Sequence, residues 1–342
     1  MLRAAVLLAA TLLTGAAGPD APSPSQRLPR SVLDVIPPEE RVTGGPGSFE
    51  VWQRACRVAP LDDDTRRRLV DVAVQEWAVF GFQTLDLATT ETRLLPGGEG
   101  DLELVPDALN PPLPQPRLTR RILRLGSSED EEDTYATVAG YWTATPDGWK
   151  VLLRQNAIWR EPAGEGRGWI QPWSAAFVSW LMCEGGLGDP NVFARSVAHW
   201  EYIDQAIAAR QGRAPYAAFV AYDLGERDIS PGDLLCNARG ETTYRTVADR
   251  AAQVGEYAPL HCDLVVKVDP RQAVILTVGG NVLNSVSLSV LKAVQVNGRW
   301  TPVAEDELEG ARRWFAHLKL RTPDIEADAL DHTPTVHSLQ GR

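Results

Sequence analysis

Ser174, His261 and Asn281 follow one another in the chain, each where a side chain could be held for chemistry. Ser174 opens an apolar run in which Ala176, Phe177, Trp180 and Leu181 recur at helical spacing. A Gly- and Pro-bearing loop, Gly168 to Pro172, precedes it and Gly185-Gly186 stops it. A serine in the first turn of a buried helix meets unpaired N–H groups and the positive end of the helix dipole. That place suits a nucleophile or a developing oxyanion, and equally a plain helix cap. His261 starts the strand-like run His261-Cys262-Asp263-Leu264-Val265-Val266, and Asn281 follows Gly279-Gly280 at the end of the next one. A nucleophile carried on a helix, a base on a sheet and a third polar group to orient the base is the logic of a hydrolytic triad. The same residues also have plain readings: a satisfied strand-end histidine and a turn asparagine.

Around this core the chain reads mainly as helices first and antiparallel strands later, an α+β arrangement. Leu69, Val72, Ala73, Trp77 and Phe80 predict an amphipathic helix from Asp64 to Phe80, docked by its Trp77 face and wrapped onto the rest. Residues 88–120, with their prolines, read as a long loop. Tyr135 to Trp142 and Trp149 to Gln155, on either side of Pro146-Asp147-Gly148, predict a β-hairpin. Glu161, Glu165 and Arg167 in the loop that follows read as solvated charges or loop salt bridges. Asp189-Pro190 predicts a helical start, continued from Ser196 to Ala209 with Val197, Trp200, Ile203 and Ile207 on one face. His199, on that apolar helix, reads as a core histidine bonded to a loop carbonyl. Pro231-Gly232-Asp233 turns into a strand ending at Cys236, Gln272 to Val278 and Val282 to Leu291 are further strands, and Trp314 to Leu320 is a last edge strand.

Composition narrows the function. A formal charge of −11 and the lack of a Lys/Arg stripe argue against nucleic acid as a partner. Residues 1–17 have the charged start, apolar middle and small-residue end of a secretory signal, and no later segment predicts a membrane span. Residues 18–48 read as a disordered Pro-rich tether, 49–320 as one domain with its core at 135–320, and 321–342 as a loose tail. An exported chain, periplasmic or extracellular, permits disulfides. Of four cysteines, Cys236 and Cys262 would face each other if their strands pair, closing a loop of about 25 residues worth ~3 kcal/mol. Zinc held by these two and a histidine is the rival reading. Cys183 reads as packing or as a partner for Cys56.

Four local words are more specific than the spacing. Pro172-Trp173-Ser174-Ala175-Ala176-Phe177-Val178, Pro231-Gly232-Asp233-Leu234-Leu235, the His261 strand and Gly279-Gly280-Asn281 resemble the corresponding words of the CHAP and NlpC-type peptidases. With Tyr141-Trp142, His199 and Tyr202 they are most similar to a bacterial family called domain of unknown function 2272. The resemblance implies a papain-like fold, with a nucleophile helix on an antiparallel sheet and no cofactor or metal. It also implies hydrolysis of an amide, or an ester, in cell-wall peptides. It carries the nucleophile to Ser174, the base to His261 and the orienting group to Asn281. Gln171 or backbone N–H groups would serve the oxyanion, and Trp173, His199 and Tyr202 would touch substrate. The peptidases have cysteine where this chain has Ser174. A helix dipole and an imidazolium can hold a thiolate, but a hydroxyl needs its proton removed during attack. A binding or scaffolding module that retains the cleft is therefore the alternative.

Overall fold

Leu69, Val72, Ala73 and Trp77 are buried along one helix, α1 (Asp64–Val79), in the computed structural model, which describes residues 27–95, 115–162, 167–303 and 312–340. The other helices are α2 (Glu132–Thr143), α3 (Gly148–Arg160), α4 (Ser174–Glu184), α5 (Trp200–Arg210), α6 (Val247–Ala251) and α7 (Pro334–Gln340). The strands are β1 (Val42–Thr43), β2 (Glu50–Val51), β3 (Thr84–Leu95), β4 (Gln115–Arg124), β5 (Phe219–Tyr222), β6 (Leu234–Ala238), β7 (Leu260–Asp269), β8 (Val274–Gly279), β9 (Ser287–Val296), β10 (Arg299–Pro302) and β11 (Arg313–Leu320). β1 and β2 form a small ribbon; the rest form one sheet in the order β4-β3-β9-β8-β7-β6-β11-β5, with β10 on β9. Every pairing in that sheet is antiparallel except β3 with β9.

Strand alternation divides the core. Cys262, Leu264 and Val266 of β7 and Leu276 and Val278 of β8 pack in the large cluster with Phe177 and Trp180 of α4 and Trp77 of α1. Val265, Ile275 and Leu235 face the other way, with Trp314. α4 is buried on all sides, so its apolar run needs no polar face.

Several predicted elements take a different form. Tyr135–Trp142 and Trp149–Gln155 lie in helices α2 and α3, not in a hairpin. Their aromatic and β-branched content resembles strand, but Val138, Tyr141 and Trp142 also fall at helical spacing. Packing decides: Tyr141 lies 5.4 Å from Phe177 and 5.3 Å from Trp180, centroid to centroid. The segment 88–120 contains the paired backbones of β3 and β4; Pro116 falls on the edge strand, where proline is tolerated. β11 is not an edge but lies between β6 and β5. Asp189-Pro190 makes a turn, its carbonyl receiving the Val192 and Phe193 N–H groups at 2.9 Å, and α5 begins only at Trp200. The predicted signal peptide lies outside the described residues, as does Glu165. From Arg27 on, the predicted tether is packed: Leu33 and Val35 are buried, and fully buried Arg41 pairs with Glu184. The tail beyond Arg321 is anchored too, by buried Ala329 and Leu330 and by Val268 N–H on the Ala327 carbonyl at 2.8 Å.

Cys236 and Cys262 are bonded to each other, which removes both from any zinc site, and Cys56 pairs with Cys183. Replacing Cys236 and Cys262 together by serine is expected to cost about 3 kcal/mol. Denaturant midpoints of the oxidised wild type and the double variant would check this; equal midpoints would show that the bridge carries no stability.

Candidate functional site

The chain enters α4 through Trp173, which is completely buried. Its ring stacks on Phe80 at 5.9 Å and Tyr141 at 5.6 Å, and its indole N–H donates to Glu129. Trp173 is thus an anchor for the helix start and not a surface for substrate. No side chain caps this helix, so the Ser174 hydroxyl is not spent on the backbone. Its Oγ lies 2.7 Å from Nε2 of His199, and Ser174 is 5% exposed.

His199 is therefore not bonded to a loop carbonyl. Its other nitrogen, Nδ1, receives the Tyr202 hydroxyl and, at 3.2 Å, the backbone N–H of Cys262. That amide is available for a topological reason. β8 stops pairing with β7 at Leu264–Val278, so Cys262 lies beyond its end. Across the sheet Cys262 faces Cys236 with Cα atoms 4.1 Å apart, the close spacing of a non-hydrogen-bonded pair, so its N–H points away from β6. An amide N–H can only donate, which makes Nδ1 the lone-pair nitrogen and places the ring proton on Nε2. His199 at rest thus donates to Ser174. Burial, then His261 and Arg239, holds its pKa well below the usual histidine value, so the ring is neutral.

His261 makes no hydrogen bond to Ser174. Its ring lies 5.1 Å from that of His199, centroid to centroid, and its Nε2 is 2.6 Å from Asp263 Oδ1. Burial pushes the Asp263 carboxyl up, but Arg312, His261 and Arg239 outweigh burial and hold it well below the carboxylate range. It is ionised, so His261 donates from Nε2. The lone pair on Nδ1 is left buried and without a partner. Burial lowers His261 to about 4 despite the attraction of Asp263. The two histidines therefore differ in tautomer and partners: one presents a proton to Ser174, the other an unpartnered lone pair.

The same shifts act on stability. Both histidines bind protons more readily in the unfolded chain, so stability is complete above pH 6.5 and is lost as pH falls toward about 4. Urea midpoints should drop steeply between pH 6.5 and 4 in the wild type and less in His261→Gln. A flat profile across that interval would contradict the buried neutral pair.

Asn281 stands at the end of β8 with φ +54°, and its amide makes no hydrogen bond to His261; Asp263 holds that place. Gln171 is half-buried in the loop before Ser174, and its amide has no hydrogen-bond partner among the described residues. Tyr202, 1% exposed, positions His199 from beneath. The sequence reading missed Asp263, although its period-two spacing from His261 puts both on one strand face. Gly279 and Gly280 explain themselves sterically. A Cβ at Gly279 would collide with the Asp263 carboxylate, and one at Gly280 with Phe177 of α4. Among the described residues, no helix is long and apolar enough to cross a membrane.

No curated protein and no solved structure matches the chain. A family model described as an uncharacterized protein conserved in bacteria (DUF2272) matches residues 129–320, more than half of the chain and every residue of the Ser174, His199 and His261 cluster, and the protein belongs to that family.

Proposed function

We propose that the protein is an exported hydrolase of amide or ester bonds with a papain-like arrangement, in which Ser174 is the nucleophile. The observation that carries this reading is the helix-first serine hydrogen-bonded to one buried neutral histidine beside a second histidine with an unpartnered lone pair. Environments that drive two like groups into different protonation roles are a mark of acid–base sites. The two disulfides accord with export. Cell-wall peptides are the substrate class to which the likeness to NlpC-type peptidases points.

The roles follow from the tautomers. His261 Nδ1, directly or through one water, takes the Ser174 proton as Oγ attacks the carbonyl carbon. Asp263 stabilises the imidazolium that forms. His199 Nε2–H, which at rest sits on Oγ, turns to the developing oxyanion, with the Gln171 amide as a second donor. His261 then returns the proton to the leaving amine or alcohol. The base works only when neutral, so kcat/KM should fall on acidification with a midpoint near pH 4, below the ordinary histidine value.

A fluorophosphonate probe tests the nucleophile. Labelling of Ser174 in the wild type, absent in Ser174→Ala together with turnover of muropeptides or acyl esters, is the expected result. A second reading, a module that binds peptide without cleaving it, is favoured by the 5% exposure of Ser174 and by the His199 bond that already occupies its hydroxyl. It predicts no labelling, no turnover, and muropeptide binding unchanged in Ser174→Ala.

A further inference from the structure

On the face of the sheet that carries His261 lies a polar group that the mechanism does not use. Asn237 of β6 is the direct cross-strand partner of His261 on β7 and of Trp314 on β11, so the three side chains stand in a row. Asn237 is 1% exposed, yet neither its amide nitrogen nor its amide oxygen has a hydrogen-bond partner. Leaving both ends of a buried amide unpaired carries the full desolvation penalty of each group. Such a defect beside a reactive histidine points to a ligand that supplies the missing partners.

Two residues on, just past the end of β6, Arg239 has an exposed surface, while burial of its charge and the nearby Arg312 lower its pKa against the attraction of Asp263. Its backbone N–H is held by the Pro259 carbonyl at 2.9 Å, which fixes its place at the end of the β6–β7 pair. Its guanidinium forms no hydrogen bond or ion pair among the described residues, whereas the neighbouring Arg312 is committed to Asp263 and, at 3.3 Å, to Ser289 Oγ. Two arginines and one ionised aspartate leave this end of the sheet with a net positive charge. A buried primary amide pairs best with another amide, giving one N–H and taking one; a free guanidinium pairs best with a carboxylate, through two parallel bonds.

We infer that Asn237 and Arg239 form a subsite for a peptide unit with a free carboxylate, Asn237 pairing with its amide and Arg239 with its carboxylate, next to His261. This deepens the proposed function, on which it rests for its place in a substrate, by adding that the substrate is anionic close to the bond cleaved. As a binding site it stands or falls independently of Ser174.

The probes are N-acetyl-alanyl-alanine and its C-terminal amide, titrated by calorimetry or NMR into the full-length Ser174→Ala protein, which cannot turn them over. The acid should bind at least tenfold more tightly than the amide. Arg239→Gln, a change at an exposed position, should bring the two within twofold of each other, and Asn237→Leu should weaken both equally while the melting temperature shows the fold intact. Equal binding of acid and amide, binding of neither up to 10 mM, or an acid preference unchanged in Arg239→Gln would overturn the subsite. Failure of the hydrolase reading shows elsewhere, as a wild type that no active-serine probe labels while the acid preference persists.

Discussion

His261→Gln is expected to lower the rate of serine acylation by about 10³–10⁴-fold with the fold intact, because in the proposed mechanism the buried, unpartnered Nδ1 lone pair of His261 is the base. Asp263→Asn should cost a similar factor. With the carboxylate gone, nothing fixes the proton on His261 Nε2, and the tautomer with Nδ1 protonated cannot act as base. His199 provides the internal contrast. His199→Ala should cost about 10²–10³-fold, the loss of one oxyanion donor, and His199→Gln should recover most of it, since a glutamine amide can present an N–H where Nε2 stood. The measurement is the second-order rate of fluorophosphonate labelling, compared with kcat/KM on an ester. If His199→Gln were as damaging as His261→Gln, His199 would be the base and the tautomer assigned from the Cys262 amide would be wrong.

That contrast also marks where sequence reasoning reaches and where it stops. α4, α1 and the Cys236–Cys262 bridge are legible because each follows from local periodicity: apolar residues at helical spacing, or two strand runs closing a short loop. The partnership of Ser174 with His199 is not local in that sense. It requires β8 to end before Cys262, leaving a backbone amide free to orient the imidazole, and where one strand stops alongside another is a property of the whole sheet. α2 resembles a strand in sequence because Tyr141 and Trp142 carry strand-like propensity, and the contacts of Tyr141 with Trp173, Phe177 and Trp180 decide for helix. The predicted orienting residue, Asn281, sits at the right turn. The bond it was expected to make is made by Asp263, whose carboxylate fills the space that Gly279 leaves open.

The Pro231-Gly232-Asp233 word has a physical account that predicts the largest loss of stability. Gly232 adopts φ +92°, a conformation that L side chains rarely take, and this turn delivers Asp233 into the interior at zero exposure. There Oδ1 receives Arg66 Nη1 at 2.7 Å and the Leu320 N–H at 3.0 Å, while Oδ2 receives His317 Nε2 at 2.8 Å and the Ser230 N–H at 2.9 Å. One carboxylate thus joins α1, the start of β6 and the end of β11. Burial pushes its pKa up, but His317, Arg66 and Lys319 bring it down to about 2. Asp233→Ala leaves buried His317 without its partner and takes from Arg66 its buried carboxylate, leaving Arg66 the Pro231 and Leu320 carbonyls and Asp324 at 3.3 Å, and is expected to cost about 3–5 kcal/mol, lowering Tm by roughly 5–8 °C. Arg66→Leu should cost less, because Asp233 keeps His317, Lys319 and two backbone donors. The sign with pH gives an independent check. A carboxyl depressed from 3.8 to about 2 adds stability that is complete above its unfolded value and is lost as pH falls through that interval. The gap in urea midpoints between wild type and Asp233→Ala should therefore narrow as pH falls from 5 to 2. A loss below 1 kcal/mol at pH 7, or a constant gap down to pH 2, would show that this buried carboxylate is not what holds α1 to the sheet.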